Sequence, residues 1–226
     1  MRSILIIILA LFSSSLFGQN KYLSLGTVEN GICFSQAINY NGIRINLSDR
    51  NNFGKNDLSF SGFSARNHMN GISFAFLISG DSVSNGLKIG GVVARANKHN
   101  GLAIGGLGLT CNKLNGVGIS GWNVSGDTLN GLFIGAFGVA SFHGTIRVIN
   151  GFAIGLGVVA GTMDGVSVAL FSNIFDKQEG VAVSAINLAK ELHGFQFGLI
   201  NCALNNRKFF RWTPLFNFNL RKKSNL

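Results

Sequence analysis

Hydrophobic positions along this chain recur with a period of fifteen. Asn70, Asn85, Asn100, Asn115 and Asn130 are each followed by glycine, at strict fifteen-residue spacing. Take each Asn as slot zero. Slots two and four are then apolar: Ile72 and Phe74, Leu87 and Ile89, Leu102 and Ile104, Val117 and Ile119, Leu132 and Ile134. Slot five is small (Ala75, Gly90, Gly105, Ser120, Gly135), and slot seven is large again (Leu77, Val92, Leu107, Trp122, Phe137). A fixed period marks a repeat architecture, and alternation over slots two to four marks the local element as a strand. Asn-Gly fits a turn because both residues tolerate positive φ. The apolar set changes from even to odd slots across slot five, so a bend is expected there, where glycine is commonly used.

The pattern runs beyond the strict region. Asn150-Gly151 opens Phe152, Ile154 and Gly155; Asp164-Gly165 opens Val166 and Val168; Glu179-Gly180 opens Val181 and Val183; His193-Gly194 opens Phe195, Phe197 and Gly198. Backwards, Asn56-Asp57 opens Leu58 and Phe60, and Asn41-Gly42 opens Ile43 and Ile45. About eleven units thus cover residues 41–205, one of them carrying five extra residues around 142–146.

The class this predicts is all-β. In a β-solenoid each unit is one coil, and slots two, four and seven point into a thin core. In the alternative, an up-and-down β-barrel, each unit is one strand with a hairpin at Asn-Gly. The solenoid is favoured for two reasons. Asn also recurs at slot eight (Asn123, Asn187, Asn201), so both corners of a flattened coil would carry stacked Asn, which can form hydrogen-bonded ladders. Successive coils are also equivalent, whereas alternate strands of a meander run in opposite directions.

The flanks differ from the repeats. Residues 1–18 read as a secretory signal peptide, with Arg2 ahead of an apolar run at 4–12 and small residues after it. That run is too short to span a membrane as a helix. Residues 19–40 form an irregular lead-in or cap, in which Asn30-Gly31 precedes the next Asn-Gly by only eleven residues. Residues 206–226 hold a closing strand at 215–220 and a basic tail: Arg207, Lys208, Arg211, Arg221, Lys222 and Lys223 are six of nineteen cations. The chain is glycine-rich (31 Gly) and 12% charged, which suits a long packed core and excludes disorder.

Chemistry is hard to find. Cys33, Cys111 and Cys202 fall at different slots and are odd in number, so no disulfide framework is expected. There is no Cys-x-x-Cys, His-x-His or HExxH, and no phosphate-loop signature, so no catalytic, metal or cofactor residues are assigned. The residues singled out are structural: Asn70, Asn85, Asn100, Asn115, Asn130 and Asn150 at corners, and Gly90, Gly105, Gly135, Gly155 and Gly198 at bends. Net charge is +10, and the basic C-terminus suggests anionic lipid or polysaccharide as partner. Nucleic acid fits poorly with export.

Units such as 100–108 and 193–203, with the ending Trp212-Thr-Pro-Leu-Phe-Asn-Phe-Asn-Leu220, resemble surface-repeat proteins of diderm bacteria. That family carries runs of N-G-Φ-Q-Φ-G-Φ-Φ-N, with Φ apolar, behind a signal peptide. This chain departs from it by often having Gly, Ser or Ala in place of Gln. The resemblance implies an exported, envelope-associated protein of undefined activity, with no catalytic residues to carry over. The function expected is non-enzymatic, structural or adhesive, at the cell surface or outer membrane, with envelope components as partners. The alternative is a small outer-membrane barrel acting as channel or anchor.

Overall fold

The computed structural model describes residues 23–27, 30–34, 39–46, 68–140 and 146–220. The signal-peptide segment, the Asn56-Asp57 unit, the insertion around 142–146 up to residue 145, and the last six residues lie outside them. The chain forms β1 (Leu23–Gly26), β2 (Asn30–Phe34), β3 (Asn39–Asn46), β4 (His68–Ala75), β5 (Ile78–Gly90), β6 (Val93–Gly105) and β7 (Gly108–Ser120). It continues through β8 (Asn123–Ser125), β9 (Thr128–Gly135), β10 (Gly138–Val139), β11 (Ile146–Ile154), β12 (Gly157–Ala203) and β13 (Trp212–Asn219).

The architecture is a β-solenoid of about eight turns, not a barrel. From β2 to β12 neighbouring strands are parallel, and each residue pairs with the same slot one coil on: Asn85 with Asn100, Gly101 with Gly116, Ile104 with Ile119. A meander would have made these pairs antiparallel. Only the two ends are antiparallel: β1 on β2, and β13 on the last coil of β12. They lie over the open edges of the stack, where unpaired strands would invite further pairing. Pro214 sits within β13, and Leu215 after it is the one positive-φ non-glycine among the described residues. Both features suit an outermost strand.

The Asn-Gly pair holds the stack together. Each Asn amide donates to the side-chain oxygen of the Asn one coil earlier: Asn41 to Asn30, Asn70 to Asn41, Asn85 to Asn70, Asn100 to Asn85, Asn115 to Asn100, Asn130 to Asn115 and Asn150 to Asn130, all at 2.6–3.0 Å. The ladder expected at slot zero is therefore present. At slot eight it reduces to one rung, Asn187 to Asn201 at 2.8 Å, while Asn123 donates to the Ala140 carbonyl. The glycine beside the ladder sits inside a continuous strand rather than in a hairpin turn. Gly101 has φ of 125°, and a Cβ there would overlap the Gly86 carbonyl oxygen. The neighbouring Asn does not share the positive φ.

This glycine row settles the unit boundaries. Gly31 stacks on Gly42, and Gly42 directly on Gly71. The Asn30-Gly31 pair, read as lead-in, belongs to the row, and no coil stands between Asn41 and Asn70. The other bend falls at slots six and seven, one position later than expected: Gly91-Val92, Gly106-Leu107 and Gly121-Trp122 leave the strand there.

The inside and outside of the coil are the reverse of the expected ones. The buried rows are slot three (Ala103, Phe133, Ala153), slot nine (Ala94, Leu109, Val124, Val139), slot eleven (Ala96, Cys111) and slot fourteen (Met69, Leu114, Leu129). Slots two, four and seven face out: Ile72 is 40% exposed, Phe152 53%, Leu107 58%. The reason is volume. The interior between the strands of a coil is thin, so a slot that meets large side chains must itself be small. Gly118 shows this: a Cβ there would stand 2.7 Å from Leu114, 2.9 Å from Leu109 and 3.1 Å from Phe133. Core slots therefore mix large and small residues from coil to coil and look weak in the sequence, while the recurring aliphatics of slots two, four and seven are on the outer face.

Candidate functional site

The bend glycines exclude bulk, but across their own coil. A Cβ at Gly90, Gly105 or Gly135 would overlap the carbonyl oxygen of Val93, Gly108 or Gly138, on the strand leaving the bend. None of these three has positive φ. Ser120 occupies the same slot by donating its hydroxyl to the Leu107 carbonyl at 2.8 Å. Gly155 lies against Gly135 and Gly138, and Gly198 against Ser184 and Asn187 of the preceding coil. All eleven Asn and Gly residues singled out in the sequence thus serve the scaffold, and they do not converge on a cleft.

What the sequence reading missed is a charged cluster sealed in the core of the N-terminal coils. Slot three places Arg44, Ser73 and Lys88 on successive coils, and slots nine and eleven place Ser79 and Asp81 opposite. Arg44 is ion-paired with Asp81: Nη2 donates to Oδ2 at 2.8 Å, and Nη1 stands 2.7 Å from Oδ1. Lys88 Nζ is paired with the same Oδ2. Arg44 also donates to Ser73 Oγ at 2.8 Å, and Ser73 meets Ser79 at 3.2 Å. All three charged side chains are at most 1% exposed. Burial pushes the Asp81 carboxyl up, but Lys88 and Arg44 outweigh it and hold the group below the usual carboxylate range.

At slot fourteen, His99 Nδ1 meets Ser84 Oγ at 2.7 Å. Burial, helped by the nearby Lys88 charge, lowers the His99 pKa from the ordinary 6.5 to about 4, so the ring is neutral at pH 7. Slot three looked unpatterned because its residues differ in chemistry from coil to coil; only the stacking makes Arg44, Ser73 and Lys88 neighbours. These groups are shut off from solvent, and two cations share one carboxylate.

The three cysteines are free and buried. Burial pushes the Cys111 thiol up to about 12, which makes it inert. Among the described residues no three His, Cys, Asp or Glu side chains are grouped to hold a metal. No described helix is long and apolar enough to cross a membrane.

The surface holds two features. One is the apolar outer face of slots two, four and seven. The other is the C-terminal cap, where β13 continues that face: Phe216 and Phe218 pair with Phe197 and Phe195, and the rings stack at 6.2–6.5 Å. A cavity of about 780 Å³ opens under the cap between Asn206, Arg207, Phe210, Pro214, Phe216 and Phe218. Comparison with family models, curated proteins and solved structures returns no match.

Proposed function

We propose that this protein is an exported, non-enzymatic β-solenoid with a structural or adhesive role in the envelope of a diderm bacterium. The observation that carries the reading is a division of labour in the coil. Titratable groups that could do chemistry, Arg44, Asp81, Lys88 and His99, are sealed inside. The surface instead repeats one apolar motif coil after coil, which suits holding on to an extended partner better than turning over a small one. The signal-peptide pattern at 1–18 supports export, and the likeness of the repeats to envelope surface repeats supports the location.

The test is surface labelling. Intact cells expressing the tagged chain are treated with a membrane-impermeant amine reagent, which can reach the exposed Lys98, Lys113 and Lys190. Labelling of intact cells, with the protein in the envelope fraction, is the expected result. Recovery of unlabelled protein from the cytoplasmic fraction would overturn the proposal.

A further inference from the structure

The recurring aliphatics of this coil lie outside, although Leu109, Leu114, Leu129 and Phe133 still form an apolar centre. Leu, Ile, Val and Phe face outward at slots two, four and seven, while Arg44, Asp81, Lys88, His99, Gln178 and Gln196 are buried. Apolar-out, polar-in strands are what a hydrocarbon environment selects, and in water such a surface marks a site of contact.

Two observations indicate what covers it. The first is shape. Leu77, Leu107, Trp122, Phe137, Leu156 and Leu170 are 46–58% exposed. Backbone hydrogen bonds stack them coil on coil along the bend. This row is a convex corner beside the flatter face of slots two and four. A rigid copy of the same chain would cover the face or the corner and leave the other wet; fluid hydrocarbon wraps both. The second is charge. At the C-terminal end, Phe209, Phe210 and Trp212 are 94%, 61% and 60% exposed. Arg207, Lys208 and Arg211 alternate with them and are exposed too. Exposed aromatics interleaved with cations, on a chain of net charge +10, suit the headgroup layer of an anionic membrane.

Resting on the envelope reading above, we infer that the partner is a lipid bilayer surface carrying anionic headgroups. The solenoid lies along it with the slot-seven corner and the adjoining face in the acyl boundary, and the C-terminal cations at the headgroups. It sits on the membrane and does not span it.

The chain carries its own probes, because its two tryptophans are Trp122 on the corner and Trp212 in the cap. The full purified chain is mixed with phosphatidylcholine vesicles, with and without phosphatidylglycerol, and floated on a density gradient. Flotation with anionic vesicles is expected, with a blue shift of tryptophan emission that persists in Trp212→Phe and is quenched by brominated acyl chains. The Leu107→Asp, Phe137→Asp double variant changes only outward positions and should keep its β-sheet circular dichroism while vesicle binding falls at least about tenfold. Arg207→Gln, Lys208→Gln, Arg211→Gln should lower binding to anionic vesicles about a hundredfold and leave neutral vesicles unchanged. Three outcomes overturn the inference: no flotation with either vesicle, binding to an anionic polysaccharide in its place, or a lipid-free dimer in sedimentation that the double aspartate variant dissolves. If surface labelling of cells succeeds while vesicles fail, only the lipid partner is lost; if labelling fails, the envelope reading falls whatever the vesicles do.

Discussion

The coils from β3 to β5 and those from β7 to β11 share one backbone and have opposite interiors. In the first set slot three holds Arg44, Ser73 and Lys88, and slot eleven holds Asp81. In the second, slot three holds Gly118, Phe133 and Ala153, facing Leu109, Val124 and Val139. Ala96 and Ala103 stand directly beside Asp81 and Lys88, one coil on, without a change of register. The Asn ladder and its glycine row run through both regions. The geometry is therefore set at the corner, and the interior has only to fill the gap with matched volume and satisfied charge. Ion pairs and hydrocarbon are two solutions of that single constraint.

The comparison breaks hardest when one partner of the buried triple is removed. Asp81→Asn leaves Arg44 and Lys88 buried without their counter-charge and should cost about 3–5 kcal/mol. Phe133→Ala in the apolar set should cost a similar 3–5 kcal/mol by a different route, an unfilled cavity. Replacing the whole triple with apolar side chains of similar volume, Arg44→Met, Asp81→Val and Lys88→Met, should come within about 1 kcal/mol of the parent or exceed it. Denaturant midpoints decide. If the triple variant is as weak as Asp81→Asn, the two fillings are not interchangeable.

The next effect separates the regions by pH. His99 has a folded pKa of about 4 against an ordinary 6.5. The unfolded chain takes up the proton first, so this stability is fully present above pH 6.5 and drains away as pH falls to about 4. The full loss is about 3 kcal/mol. Asp81, with its carboxyl held low, contributes stability that is present above the ordinary carboxylate range and is lost only at lower pH. Urea midpoints at pH 7 and pH 4.5 should therefore differ. His99→Leu, which takes the residue of the next coil at Leu114, should flatten the slope over this window. An unchanged slope would place the titration elsewhere.

Smaller effects test what the regions share. Gly105→Val should cost about 1–3 kcal/mol, because the new branch meets the strand beyond the bend and, unlike Ser120, has no hydroxyl to bond there. Asn85→Ala in the charged region and Asn115→Ala in the apolar one should each cost about 0.5–1.5 kcal/mol and match each other. Unequal melting temperatures for that pair would mean the ladder is not independent of what it encloses.

The one-dimensional pattern determined the repeat, its period, the strand character and the slot-zero Asn ladder, and it favoured a solenoid over a barrel. These are local or translational properties: equivalent residues one period apart must meet equivalent residues, and an amide side chain meeting its own copy has a donor and an acceptor to share. Tertiary structure alone decided which slots face inward. Periodicity gives the phase of a strand but not its sign, and the assumption that the most regular aliphatic slots point in fails when the thin interior is filled by slots whose residues vary in size from coil to coil. It also decided that Arg44, Asp81 and Lys88 meet, since they are separated along the chain and only the direct stacking of Asn41 on Asn70 brings them to one level. The two results have one cause, because coils stacked in register set each slot on its own counterpart, and what the interior must hold depends on neighbours that are distant along the chain.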